Sequence, residues 1–356
     1  MKDYEIIGRL QEIKERLNSR PYAPILNILF LTYHLMLKNY DIVETHAETL
    51  SMDSSTPSTF YELFRGISYL IKGKDIDANI AFKYVLNIDP ENQYGYLFKG
   101  IINLKEGKIA KELFDKAIVH APKYEKEIIK EITNAEENEK LKIILSEENI
   151  SRKEFINILE ELDNSVKFDP IIKTTLAEAY LRAGEYKKVP PILENVLVNY
   201  PNYPRALYLM GRMIDEYLGN HEKANDYFKK IIEINPLCRF AVVPIEEDKL
   251  LKMDELNELK NLYKIEMPVI KFFKEEFEKL VEKPQVQEKA QKEEPQKTKP
   301  KEAEINKNNV DDSQKEKNQS DIDELYAGIN LLKEKKYEEA LKFFLNKLKE
   351  SQNKEK

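Results

Sequence analysis

The chain has 356 residues, charged side chains make up 34% of them, and the formal net charge is -7. That length can bury a sizeable core and suits one to three domains, while the intermixed signs leave no basic block of the kind a nucleic-acid binder carries. Only 10 glycines, no tryptophan and abundant Lys, Glu, Ile and Leu favour helix over sheet, and a single cysteine, Cys238, excludes an intrachain disulfide and points to a reducing compartment.

Ile6, Leu10, Ile13 and Leu17 recur at alternating four- and three-residue steps, which predicts an amphipathic helix from about Asp3 to Leu17. Residues 1–21 then read as a capping helix, since the end of a repeat array needs one polar face. The apolar run at 24–37 is too short to cross a bilayer and carries Asn27, Thr32 and His34. A mixed-charge helix before it is not the basic start of a signal peptide. The expectation is a cytoplasmic protein with no membrane partner. Residues 22–57 are expected to form a degenerate helical hairpin with its turn near Asn39.

From residue 58 a pattern repeats. Gly66 is followed by Tyr69, Gly73, Ala78, Phe82 and Pro90. Gly100 is followed by Gly107, Ala110, Phe114, Ala117 and Pro122, its interhelix turn two residues shorter. Ala177 is followed by Tyr180, Gly184, Tyr186, Leu193 and Pro201. Gly211 is followed by Gly219, Ala224, Phe228 and Pro236. Near the C-terminus, Gly328 is followed by Leu331, Tyr337, Ala340 and Phe344. Gly66 and Gly100 lie 34 residues apart. This pattern resembles the tetratricopeptide repeat family, helix–turn–helix units of about 34 residues. A small residue in the first helix and Ala in the second let two backbones approach. Glycine between them ends the first helix, the aromatic fills space between units, and proline ends the second helix. The expected fold is an all-α superhelical array (solenoid) spanning 58–283. It includes a degenerate unit at 124–170, with helices about Glu125–Leu145 and Lys153–Val166. Capping helices follow at 246–282, with a break near Pro268.

Residues 284–320 contain eight Lys, eight acidic residues and no aromatic. Such a segment cannot bury enough apolar surface to offset its ordering entropy, so a disordered linker is expected. Beyond it, 321–350 reads as one detached repeat with two apolar stripes, Ile322, Leu325, Ile329 and Leu332 on one helix and Leu341, Phe344, Leu345 and Leu348 on the other. A lone unit cannot bury both stripes by itself.

The resemblance implies a concave face lined by the first helix of each unit. Counting along those helices gives candidate groove positions Phe60, Leu63 and Ile67, then Tyr94, Leu97 and Ile101. Ile171, Thr174 and Glu178 follow, then Arg205, Tyr208 and Arg212. Some members of the family grip a partner's terminal carboxylates with Lys, Asn and Arg at such sites. Leu63, Ile67 and Leu97 are apolar here, so that activity is not expected; an apolar groove suits an amphipathic helix. The alternative is that these side chains pack against the adjacent unit.

No histidine pairs with Cys, His or carboxylate at metal-ligand spacing, and no phosphate loop or nucleophile motif occurs. His34 reads as a core histidine, His46, His120 and His221 as surface or turn residues, and Cys238 as a buried structural thiol. No catalytic residue, metal or cofactor is expected. The leading reading is a protein-interaction scaffold holding a peptide or helix of a partner. The alternative is a self-assembling protein whose C-terminal repeat docks on another copy, and an RNA-binding helical surface ranks third for want of a basic stripe.

Overall fold

Turn chemistry sets most helix boundaries in the computed structural model, which describes residues 1–53, 58–139, 141–142, 151–241 and 251–281, all within the unit 1–291. The repeat expected at 321–350 and the linker at 284–320 lie outside the described residues. The chain opens with α1 (Asp3–Ser19), α2 (Pro24–Met36) and α3 (Tyr40–Asp53). Hairpins follow: α4 (Thr59–Ile71) with α5 (Asp75–Ile88), and α6 (Gln93–Lys105) with α7 (Lys111–His120). Next come α8 (Lys123–Thr133) and α9 (Arg152–Ser165), then α10 (Pro170–Ala183) with α11 (Val189–Asn199) and α12 (Pro204–Leu218) with α13 (His221–Ile234). The last pair is α14 (Met253–Glu266) and α15 (Pro268–Val281).

Side chains before the first turn satisfy amides that the helix itself leaves open. Ser58 accepts from the Phe60 amide, Asn92 from Gly95, and Asp169 from Ile171 and Ile172. Pro24, Pro170 and Pro204 start helices where no amide donor is needed. Within the four repeat units the interhelix glycines all take the left-handed conformation, with Gly184 at φ 76° and Gly219 at φ 63° capping α10 and α12.

In three of the four repeat hairpins the glycine of the first helix meets the aromatic of the second. Gly66 lies against Phe82, Gly100 against Phe114 and Gly211 against Phe228. The close approach that glycine permits is therefore to a ring of the same unit. Phe82 also reaches the next unit, stacking on Phe98 at 5.1 Å between centroids. Ala78, Ala177 and Ala224 are fully buried in their hairpins.

The degenerate unit departs from its expected boundaries. Its first helix, α8, ends at Thr133 because Asn134 turns left-handed at φ 51° and accepts no further helical residue. The second, α9, runs close to the expected span.

The last two helices return to the first half of the chain. They break at Met267, left-handed at φ 43°, just before Pro268. α14 packs on α2, while α15 packs on α2, α6 and α8. Their apolar faces, including Leu259, Tyr263, Val269, Ile270 and Phe273, are buried, and the Glu255 carboxylate is buried against Arg16 of α1 and Arg20 just after it. The end of α13 also meets the first half: Thr59 Oγ1 donates to the Ile234 carbonyl at 3.0 Å, and Asn235 Nδ2 donates to Asp89 Oδ2 at 2.7 Å.

Candidate functional site

The apolar positions counted along the first helices of the first two units all lie in the core. Phe60, Leu63, Ile67, Tyr94, Leu97 and Ile101 are each 3% exposed or less. Helices α14 and α15 contribute to this cover, α14 at Phe60 and α15 along α6. The Tyr263 ring meets Phe60 edge-on at 5.7 Å, its hydroxyl shares a 3.1 Å hydrogen bond with Thr32 Oγ1, and Phe273 meets Phe98 edge-on at 5.9 Å. An amphipathic helical pair thus occupies the face that the sequence leaves apolar. The occupant is part of the same chain, which the spacing of the groove positions alone does not reveal.

A polar cluster lies beside it. The Tyr94 hydroxyl donates to Glu125 Oε1 at 2.5 Å and the Gln93 amide donates to Oε2 at 3.0 Å. Burial outweighs both bonds and pushes the Glu125 carboxyl up to about 7.

The second half is more polar, as its residue types suggest. Arg205 is 2% exposed and bridges two acids, donating to Glu91 at 2.9 Å and to Glu178 at 2.8 Å. Burial alone would raise the Glu91 carboxyl, but the Arg205 and Arg239 guanidinium groups overcome it and hold it at about 2. Arg205 is thus enclosed, with its charge neutralised inside the fold. Thr174 is buried too and bonds to the backbone carbonyl of Pro170 at 2.7 Å. Glu178, Tyr208 and Arg212 keep partial exposure. Tyr208 packs on Phe240 at 5.0 Å, and the Arg212 guanidinium lies 5.9 Å from the Tyr208 ring centre while its Nε donates to Glu216 at 2.7 Å.

Two histidines expected at the surface are packed instead. His46 Nε2 bonds to Asn27 Oδ1 at 2.9 Å, and the His120 ring stacks on Tyr96 at 5.8 Å, with burial pushing its pKa down to about 4. His34 lies edge-on to Phe30 and is likewise depressed to about 4 by burial. Burial pushes the Cys238 thiol up, away from thiolate chemistry. Among the described residues no group of three or more His, Cys, Asp or Glu side chains could hold a metal ion, and no helix is long and apolar enough to cross a membrane.

Glu91, Tyr263, Phe273 and Phe240 are the structurally decisive residues that the repeat count passes over. Only the amphipathic pattern of 253–281 hints at two of them.

No protein-family model and no curated protein matches the sequence. Solved structures similar to this chain include a tetratricopeptide repeat protein from Parabacteroides merdae, at 15% identity over 73% of this chain and 95% of that one, TM-score 0.28. MamA of AMB-1 is similar at 19% identity over 52% of this chain and 97% of its own, TM-score 0.24. The Cut9–Hcn1 hetero-tetramer of the APC/C is similar at 13% identity over 78% of this chain and 50% of that one, TM-score 0.31. The fold assignment rests on the chain's own hairpins, each with its small residue, glycine turn and closing proline, and three of them with a glycine–ring contact. Those features define an all-α array of tetratricopeptide-type repeats.

Proposed function

We propose that the protein is a non-enzymatic scaffold for protein interactions, holding a peptide or helix of a partner on the first-helix face of its second half, around Glu178, Tyr208 and Arg212. The observation that supports this reading is the way the chain uses the equivalent face of its first half. There α14 and α15 are held by apolar and aromatic contacts, the helix-in-groove mode. In the second half no helix later than α13 makes extensive contact with α10 or α12 among the described residues. An aromatic, a guanidinium and a carboxylate there can set the register of a bound segment. The test is cross-linked capture by the whole chain beside a Tyr208→Ala/Arg212→Glu variant of unchanged melting temperature. A stoichiometric protein lost with the variant supports the reading, and one captured equally by both rejects this face.

A second reading is favoured by the outer surface of α5. Ile76, Ile80 and Tyr84 recur every four residues and are 77%, 59% and 46% exposed, an apolar stripe that a solvated helix does not need. We infer that a self-assembling chain could seat its 321–350 repeat on this stripe of another copy. Sedimentation of the full chain should then show a dimer or larger species that Ile80→Glu dissolves; a monomer at all concentrations rejects it.

A further inference from the structure

The described residues line an open cavity of about 620 Å³ where the α7–α8 turn, the segment after α13 and helix α14 meet. Its walls carry five cationic side chains against three carboxylates, in a chain whose net charge is -7. The carboxylates are already engaged. Glu91 is bound by Arg205 and Arg239, Asp89 accepts from Asn235, and Glu137 is paired with Lys126 and Lys142. That engagement also occupies three of the five cations. Lys260 and Lys264 remain, one turn apart on the same face of α14. Lys260 donates only to the Ala241 carbonyl, at 2.8 Å, and no carboxylate among the described residues lies within ion-pair distance of either lysine.

Other walls are apolar and aromatic, formed by Leu237, Phe240 and Tyr124. His120 completes them, with its Nε2 buried and bonded to no protein atom. Two ammonium groups with no carboxylate partner among the described residues thus share the lining of one space with aromatic side chains. Solvated lysine side chains on a helix surface would not need such a wall. The volume suits a small molecule rather than a peptide helix.

We propose that this cavity is a binding site for a small organic anion with a flat apolar body, its phosphate or carboxylate group taken by Lys260 and Lys264 and its body lying against Phe240. The site adjoins the partner surface around Tyr208 and Arg212, because Tyr208 packs on Phe240, but its test does not rest on that surface's role.

Isothermal titration calorimetry of the full chain with naphthyl phosphate, naphthoate and uncharged naphthol tests the site. The expected result is one-to-one saturable binding of at least one anion, weaker binding of naphthol, and loss of affinity with added salt. Saturation by the phosphate alone assigns a phosphorylated ligand, and saturation by the carboxylate alone assigns an organic acid. Lys260→Glu/Lys264→Glu should weaken binding about tenfold or more, the usual worth of a hydrogen bond to a charged group. Lys264→Gln alters one exposed side chain, keeps the fold in reach and should weaken binding in the same direction. Absence of saturable binding, equal binding of naphthol and both anions, or unchanged affinity in a folded Lys264→Gln variant would overturn the proposal.

Discussion

A Cβ added to Gly66 would stand 2.6 Å from Cε1 of Phe82, so the glycine sets how closely the two helices of its hairpin can pack. The same relationship holds between Gly211 and Phe228, at 2.5 Å. The unit that has Ala177 in the glycine's place has Leu193 in the ring's place. Alanine favours a helix over glycine by about 1 kcal/mol, but overpacking a core costs about 1–3 kcal/mol. Gly66→Ala should therefore lower unfolding free energy by about 1 kcal/mol, the middle of that difference, in urea denaturation. Gly66→Ala/Phe82→Leu, which copies the Ala177–Leu193 pair, should recover part of it. A single variant as stable as the wild type would mean that the helices separate without loss.

Arg205 ties together parts of the chain far apart in sequence, reaching Glu91 across 114 residues. Replacing it with Met leaves two carboxylates in a largely enclosed site, of which Glu91 keeps Arg239. Removing one partner of a buried ion pair costs about 3–5 kcal/mol, and Arg205→Met should fall at the lower end. Glu91 is depressed from 4.5 to about 2, so its stabilisation is present above the ordinary carboxylate range and lost as pH falls towards about 2. Chemical denaturation of Arg205→Met should accordingly show a smaller stability loss between neutral and acidic pH than the wild type shows. Parallel pH profiles would refute this account of the pair.

The hairpins were legible because their defining contacts are local. Gly66 and Phe82 are 16 residues apart, and the glycine turn and closing proline lie within the same unit. The end of α8 was not legible: the charged run continues with good helix formers past Asn134, and only the left-handed turn there stops it. The fate of the groove positions was harder still. An amphipathic stripe at 253–281 says that a face must be covered but not which surface covers it. The same pattern would serve a cap stacked at the far end. Glu91 carries no pattern at all, because one acid on a turn acquires its meaning only when Arg205 arrives opposite it.

Leu97 is fully buried on α6, the helix against which α15 packs. An ionised carboxylate there has no partner and would be taken out of water at a cost that side-chain relaxation only partly relieves. Leu97→Glu should lower stability by more than about 4 kcal/mol, enough to unfold a marginal domain. Phe273→Ala, from the other side of the interface, should cost about 3–5 kcal/mol. Circular dichroism melts of both variants check this. If either melts within a few degrees of the wild type, α15 does not contribute to the core as the structure has it.

Glu125 gives the molecule a pH dependence of the opposite sign to Glu91. Its carboxyl is raised by burial from 4.5 to about 7, despite the hydrogen bonds from Tyr94 and Gln93 that favour the ionised form. The folded state therefore holds this proton more tightly than the unfolded chain does. The resulting stabilisation is complete below the unfolded value near 4.5 and is lost as pH rises through about 7. At about 1.4 kcal/mol for each pKa unit, the swing attributable to this group is on the order of 3 kcal/mol. Gln in its place keeps an oxygen for the Tyr94 hydroxyl and carries no charge at any pH. Glu125→Gln should match the wild type below about pH 4.5 and exceed it by about 2–3 kcal/mol in mildly alkaline buffer. Urea denaturation across that range measures both. A variant less stable than the wild type in alkaline buffer would show that the ionised carboxylate is a net asset where it sits, with its hydrogen bonds outweighing its burial.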